Sequence, residues 1–380
     1  MGSSNSSPGD SKSAIPSLRM IAQKAGVSRT TVGEALRPGS TAVSPELRER
    51  IRQIAVEVGY QKNPVLSELM AHLRRNQVHS FRGKLALLNA NADRDALSRH
   101  PTVPTYIVGA ERRAATLGYS FDRFWLHDPA LDAAAWSRIF RTRALKGILI
   151  VGLMDQVSLP PHLTSLWKEF PTVVTGVRTR NPVLSFSAVD HHALVMGAFE
   201  QARELGYTRP ALVLDPVIDD LVEGRFTAGM LMSQTKIPEK QRLPIFGDVA
   251  AARANPAVFA RWLKDHRPDV ILTLYNVVFD WLTVAKWRVP QDIGVIQLEW
   301  RAARPEIAGM NQHNDIVGEA AVDMLIHKIY HHEFFDEAFP RATLIGATWM
   351  DGATVRPQKP KAAATTKGRV AKPARAMASR

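Results

Sequence analysis

The amino-acid sequence predicts a small all-α helix-turn-helix domain followed by a larger, doubly wound α/β core. Three observations carry this. Three short amphipathic segments with strong helix punctuation fill residues 17–59. From Lys84 onward, short β-branched or leucine-rich runs alternate with helical patterns. Charge is also segregated, with a neutral middle between two cationic stretches. Of the 380 residues, 49 are Lys or Arg and 36 are Asp or Glu, a net charge of +13. Residues 15–82 hold 11 basic and 5 acidic side chains, 357–380 hold 7 basic and none acidic, and 83–356 hold 30 of each. Segregation of this kind is an electrostatic footprint for a polyanion; a solvated charged segment is the alternative at either end.

The helices are read first. Ser17 caps a helix in which Leu18, Ile21, Ala22 and Ala25 recur at i, i+3, i+4, i+7 and make one apolar face. Gly26 ends it where a left-handed backbone is needed, and Val27 plugs the turn. Ser28 caps a second helix, Arg29 to Leu36, with Val32, Ala35 and Leu36 inward. Pro38, Gly39 and Ser40 break the chain. Ser44 then caps a third helix with Pro45 at its first position; Leu47, Ile51, Ile54, Ala55 and Val58 form its buried stripe, and Gly59 stops it. Two short helices across a tight turn, closed by a third, make a helix-turn-helix.

Strand candidates in the core are Leu85–Asn89, Ser120–Leu126, Gly147–Val151, Thr172–Thr175, Ala211–Leu214, Val270–Thr273 and Gly294–Gln297. Amphipathic segments lie between them near 105–117, 131–143, 193–205, 219–233, 256–265 and 277–287. Such alternation implies parallel sheets with helices on both faces, and the run is long enough for two.

Several classes are excluded or disfavoured. The absence of cysteine removes disulfide scaffolds, thiolate metal clusters and cysteine nucleophiles. No apolar run approaches the ~20 residues that span a bilayer. The Ser/Gly-rich first 14 residues lack the apolar stretch of a secretory signal, so a soluble cytoplasmic protein is expected. No phosphate-cradling, dinucleotide or nucleophile-elbow string occurs, so no enzyme activity and no cofactor are expected. His327 and His331 stand i, i+4 beside His332, but no carboxylate completes a set, and no metal site is expected.

The strings IAQKAGVSRTTVGEAL (Ile21 to Leu36) and VSPELRERI (Val43 to Ile51), with the Gly59-Tyr60…Asn63 ending, resemble the LacI/GalR family of bacterial transcription regulators. In the core, Val189-Asp190, the run Leu205 to Ala211, Arg225-Phe226-Thr227-Ala228-Gly229, the run Val289 to Val295 and Gly318 to Ile329 follow the same family. The resemblance implies a pair of periplasmic-binding-protein-like subdomains, with chain crossings near 187–190, 312–317 and 338–342. It divides the chain into a disordered N-terminus (1–14), a DNA-binding domain (15–62), a hinge helix and linker (63–83), an effector-binding and dimerisation domain (84–356) and a basic disordered tail (357–380).

The resemblance also assigns roles. Arg29 and Thr30 would read base edges, with Glu34, where the family usually has arginine, able to accept from cytosine. Ser28, Thr31, Ser44, Arg74 and Arg75 would contact phosphates. Leu69, counted from Asn63, matches the hinge leucine that wedges between base pairs in the minor groove; its alternative is a core position. Arg225, Asn276 and Glu299 would line the cleft between subdomains, with a structural ion pair as the alternative for Arg225, and Trp300 would stack on a sugar face or lie in the core. Glu299 and Trp300 replace aspartates usual there, which leaves the ligand class open. Asp190 would either cap or buttress the hinge between subdomains or touch the ligand. The implied function is a homodimeric repressor of operator DNA modulated by a small molecule, a sugar or sugar derivative. The alternatives are an effector-independent nucleoid-architectural protein and a solute-binding receptor.

Overall fold

The computed structural model describes residues 18–36, 42–58, 81–154, 156–334 and 339–358. The chain forms two compact units, Met1–Ser80 and Phe81–Arg380.

In the first unit, α1 (Leu18–Ala25), α2 (Arg29–Ala35) and α3 (Pro45–Glu57) pack around one small core. Gly26 sits at φ +68°, and the Val27 N–H reaches back to the Ala22 carbonyl at 3.1 Å, so α1 turns sharply into α2. Ser28 caps α2 and Ser44 caps α3, each accepting from the backbone N–H three residues on, with Pro45 in the first turn of α3. Ile21, Val32, Ala35 and Ile51 are fully buried, and Val27, Leu36, Leu47, Ile54 and Val58 close around them. Burying a side chain such as Ile21 or Ile51 stabilises by roughly 1.5–3 kcal/mol, which is how three short helices hold together. The expected caps at Ser17 and Asn63, the stop at Gly59, the hinge with Leu69, and Arg74 and Arg75 lie outside the described residues.

The second unit contains two sheets. The first has six strands in the order β10-β5-β4-β3-β1-β2: β1 (Gly83–Asn89), β2 (Tyr119–Trp125), β3 (Leu145–Val151), β4 (Thr172–Thr175), β5 (Phe186–Val189) and β10 (Ala342–Ile345). All of its pairings are parallel. The second has five, in the order β11-β9-β8-β7-β6: β6 (Pro210–Val213), β7 (Val270–Thr273), β8 (Gly294–Gln297), β9 (Gly309–Asn311) and the antiparallel edge β11 (Thr348–Met350). The connecting helices are α4 (Ala96–Arg99), α5 (Val103–Thr116), α6 (Ala133–Thr142), α7 (Thr164–Glu169), α8 (His191–Glu204), α9 (Pro216–Leu221), α10 (Arg225–Gln234), α11 (Val249–Ala254), α12 (Ala257–His266), α13 (Val277–Val284) and α14 (Asn314–Tyr330).

Both faces of each sheet are covered, which is why the strands read as continuous apolar runs. Leu85 and Leu87 face Ile107, Ala110 and Leu325 of α5 and α14, while Ala86 and Leu88 belong to the cluster of Trp136 and Phe140 of α6. In the second sheet, Val213, Ile271 and Val295 meet Phe259, Leu263 and Trp281 of α12 and α13; Leu212, Leu272 and Ile296 join Phe199 and Phe226 of α8 and α10.

Three expectations are corrected. The third passage between sheets lies at Gly346–Ala347, between β10 and β11, rather than at 338–342; the chain first adds an edge strand to β5. The segment 219–233 is not one helix. Glu223 and Gly224 take φ +60° and +72°, and the Asp219 carboxylate accepts from the Phe226 N–H at 3.1 Å, starting α10 afresh. Pro357 and Gln358 are placed, not part of a disordered tail: the Gln358 N–H donates to the Leu205 carbonyl at 2.7 Å.

Candidate DNA-reading helix and ligand cleft

Helix α2 begins at Arg29, whose side chain lies outside what is described. Thr30 is exposed, Thr31 and Glu34 are half-buried, and Val32 and Ala35 point inward. The inward face therefore fixes which residues remain for solvent or a partner. Ser28 and Ser44 are exposed but already occupied in part. Ser28 Oγ accepts from the Thr31 N–H at 3.1 Å and lies 2.9 Å from Thr31 Oγ1, and Ser44 Oγ accepts from the Leu47 N–H at 3.3 Å. A capping hydroxyl retains its proton, and the first backbone N–H groups of a helix point outward from its start, so this end suits an anion.

In the second unit, the carboxyl ends of the two sheets face one another. Contacts pass between them on two sides. On one side the Thr102 hydroxyl donates to Glu299 Oε1 at 2.9 Å, and Arg301 pairs with the same carboxylate at 2.8 Å while donating to the Pro101 carbonyl. The Asn314 amide lies 3.4 Å from Glu299 Oε1. Tyr106 is buried here, and its hydroxyl is held above its ordinary pKa, first by desolvation and then by the Glu299 charge, with Arg301 opposing. On the other side Arg178 lies 3.4 Å from Glu223, Arg180 donates to the Asp220 carbonyl at 3.1 Å, and the Arg225 guanidinium stands 5.6 Å from the Phe186 ring centre.

Of the four residues expected in the cleft, Arg225 and Glu299 take part in these contacts, and Asn276 and Trp300 follow the carboxyl ends of β7 and β8. Arg225 opens α10 and pairs with Glu223 at 2.6 Å, so it holds an ion pair and a ring contact together. Asn276 immediately precedes α13 with a side chain that caps nothing. Glu299 bridges the two lips. Trp300 is half-buried, and its indole Nε1 is buried without a hydrogen-bond partner. Asp190 caps α8, accepting from the Ala193 N–H at 3.0 Å.

Sequence reasoning missed Arg301, two residues after Glu299, and Thr102, Tyr106 and Asn314, which come near Glu299 through the fold; no motif marks them. It also passed over a set of buried polar atoms with no protein partner: Gln297 Oε1, Asn314 Oδ1 and His191 Nδ1, besides Trp300 Nε1. Burial, and then the Arg225 charge, push the His191 imidazole from 6.5 down to about 3, so it is neutral. Buried polar atoms left unpaired are costly, and at the carboxyl ends of parallel strands they mark places where a ligand supplies the missing bonds.

Comparison with known proteins fits both units. Residues 17–63 match the family described as bacterial regulatory proteins, lacI family, and residues 199–355 match a periplasmic binding protein-like domain. The ribose operon repressor of Escherichia coli K12 is 26% identical over 334 residues, covering 83% of this chain and 93% of that protein, and the ribose operon repressor of Shigella flexneri aligns equally well. Among solved structures, a transcriptional regulator CelR-cellobiose complex superposes with a TM-score of 0.53 at 19% identity, over 90% of this chain and all (100%) of that one. The lac repressor dimer bound to operator and an anti-inducer superposes with a TM-score of 0.51 at 17% identity, over 89% of this chain and 98% of that one. No helix among the described residues is long and apolar enough to cross a membrane. The chain thus joins a helix-turn-helix domain of the lacI family of bacterial regulatory proteins to a periplasmic-binding-protein-like domain of two largely parallel sheets, and it is homologous to the ribose operon repressor.

Proposed function

We propose that the protein is a homodimeric repressor whose hold on operator DNA is set by a small polyhydroxylated ligand, a sugar or sugar derivative, in the cleft. The observation that carries the ligand reading is the set of unpaired buried polar atoms on Gln297, Trp300 and Asn314 beside Glu299. They offer an N–H donor, amide oxygens and a carboxylate around an indole, the mixture that hydroxyls and an apolar sugar face require. The ligand would act by favouring one arrangement of the lips joined by Thr102, Glu299 and Arg301. Only a ligand that binds one arrangement better than the other shifts the balance.

For DNA, Arg29 and Thr30 at the start of α2 are the proposed base readers, with Glu34 on the same helix as a contributor to specificity. Ser28, Thr31 and Ser44 are the proposed phosphate contacts, joined by Arg74 and Arg75 from the linker, and Leu69 is the proposed minor-groove wedge. The names of the relatives support ribose as the first ligand to try.

The test is selection of bound sequences from random duplex DNA by the full chain, run with and without ribose and a pool of sugars and sugar acids. An enriched inverted repeat whose yield changes with a member of the pool is the expected result. Enrichment of no sequence, or of an inverted repeat insensitive to every compound, rejects respectively the DNA-reading and the ligand halves of the proposal.

A further inference from the structure

The cleft lies at the carboxyl ends of both sheets. At the opposite end of the first sheet, where β2, β3 and β4 begin, an open groove of about 370 Å³ lies between the strand starts and the end of α14. That volume is within the range of small-molecule sites. The walls are apolar. Tyr119 and Leu145 begin β2 and β3, Phe170 and Pro171 precede β4, and Ile329 and Phe334 lie in and beyond the last turn of α14. Tyr119, Leu145 and Phe170 are buried in these walls, whereas the Phe334 ring is 46% exposed and offers its surface to a ligand.

The rim is positive. Arg82, Lys146 and His332 line it, all three exposed, and no carboxylate among the described residues pairs with Arg82 or Lys146. Lys146 lies against the Tyr119 wall: a Cβ on Gly83 would stand 3.2 Å from Lys146 Cγ and 3.6 Å from Tyr119 Cε1. Arg82 donates from Nη1 to the Tyr330 hydroxyl at 2.8 Å, a neutral partner that leaves its charge uncompensated. The carboxylate in the lining, Glu169, is already taken. Arg141 pairs with it and holds its carboxyl below the usual range. The Tyr119 phenol is pushed up to about 12, by burial first and then by its hydrogen bond to Tyr330, with Arg82 opposing, so it carries no charge at neutral pH.

We propose that this groove is a second small-molecule site, separate from the cleft, that takes an aromatic monocarboxylate, with the ring between the apolar walls and the carboxylate at Lys146 and Arg82. A planar ring buries apolar area and meets Phe170, Phe334 and Tyr119 in the edge or offset contacts that aromatic groups favour. The carboxylate gains charge-assisted hydrogen bonds from two cations that lack an anionic partner. A sugar fits poorly, because apolar walls would leave most of its hydroxyls unpaired. The site differs from the cleft in position as well as chemistry. Arg82 stands one residue inside the second unit, where the chain arrives from the first.

The test is calorimetric titration of the full chain with benzoate, 4-hydroxybenzoate and indole-3-acetate, with benzamide as the uncharged control. At least one carboxylate is expected to saturate the protein with a Kd below about 1 mM, and benzamide to bind at least about tenfold more weakly. Lys146→Gln should weaken carboxylate binding about tenfold and Phe334→Ala at least about threefold. Both side chains are exposed, so neither change removes core packing. Glu299→Gln, a change in the cleft, should leave carboxylate binding as in wild type, which keeps this result apart from the ligand reading of the cleft. No saturable binding below about 1 mM by any of the carboxylates overturns the proposal, as does benzamide binding equally well. Affinity unchanged in Lys146→Gln or Phe334→Ala, or lost in Glu299→Gln, also overturns it. Dissociation of the protein into single chains by Phe334→Ala, with no carboxylate bound by wild type, overturns it in favour of a second copy of the chain as the occupant.

Discussion

His191 sits at the first position of α8, against the Phe226 ring with centroids 4.7 Å apart, and its Nδ1 has no partner. Its folded pKa of about 3 lies below the 6.5 of an unfolded imidazole, so folding favours the neutral form. The stability that follows is fully present above about pH 6.5 and is lost as pH falls from there toward 3, by up to about 1.4 kcal/mol per pH unit. His191→Gln should remove one proton's worth of that slope between pH 4 and 6 in chemical unfolding; a slope identical to wild type contradicts the assignment. At Arg29 the expected change is in specificity. Arg29→Ala should relax preference at one base pair of each half-site by about 1–3 kcal/mol, read by repeating the random-duplex selection, while preference elsewhere persists. Retention of the full wild-type preference would remove Arg29 from the base-reading set.

Helices α5 and α14 pack so closely that glycine is required on each. A Cβ on Gly109 would collide with the Asp315 carbonyl, and one on Gly318 with the Tyr106 carbonyl. Both obstacles are backbone atoms, which cannot swing aside as a side chain tip can. Gly109→Ala or Gly318→Ala should therefore destabilise the second unit by about 1–3 kcal/mol, measured by urea unfolding; a change within a few tenths would show that the helices slide apart freely. Burial of this kind also explains what was legible in the sequence. Strands β1, β3, β4 and β7, each with four consecutive apolar or β-branched residues, were readable because burial on two faces leaves that mark. Strands β9 and β11, each three residues long, and the edge β10, with alternate residues exposed, carry too short or too mixed a pattern. Strand β5 (Phe-Ser-Ala-Val) was hidden because its Ser187 interrupts the apolar run. The helix break at Glu223–Gly224 depends on a carboxylate seven residues from the N–H it caps, a pairing no period reveals.

For the molecule as a whole, the charge distribution was readable from composition, and so was the division of labour it implies. The helix-turn-helix was legible down to its caps, since Ser28, Ser44, Pro45 and Gly26 act locally. The cleft was legible only on one side. Arg225 lies in a family-like string and Asn276, Glu299 and Trp300 stand at positions the resemblance assigns to the cleft, whereas Thr102 and Tyr106 come from the other sheet, about 200 positions earlier, and only folding brings them to Glu299. The proposed coupling between cleft and DNA carries a requirement of reciprocity: whatever factor a ligand applies to operator affinity, operator applies to ligand affinity. Titrating ribose, or the active member of the pool, with and without the selected duplex should return the same factor both ways; a ligand affinity that ignores the duplex would break the link.

The central claim is that paired α2 helices read inverted half-sites. Its most direct measurement is the affinity of the full chain for the selected duplex against the same duplex with both half-sites scrambled, at about 0.15 M salt. An affinity on the order of 1,000-fold or more higher for the intact sequence, with two chains per duplex, is the expected result. A difference smaller than about tenfold, or one chain per duplex at saturation, would contradict it.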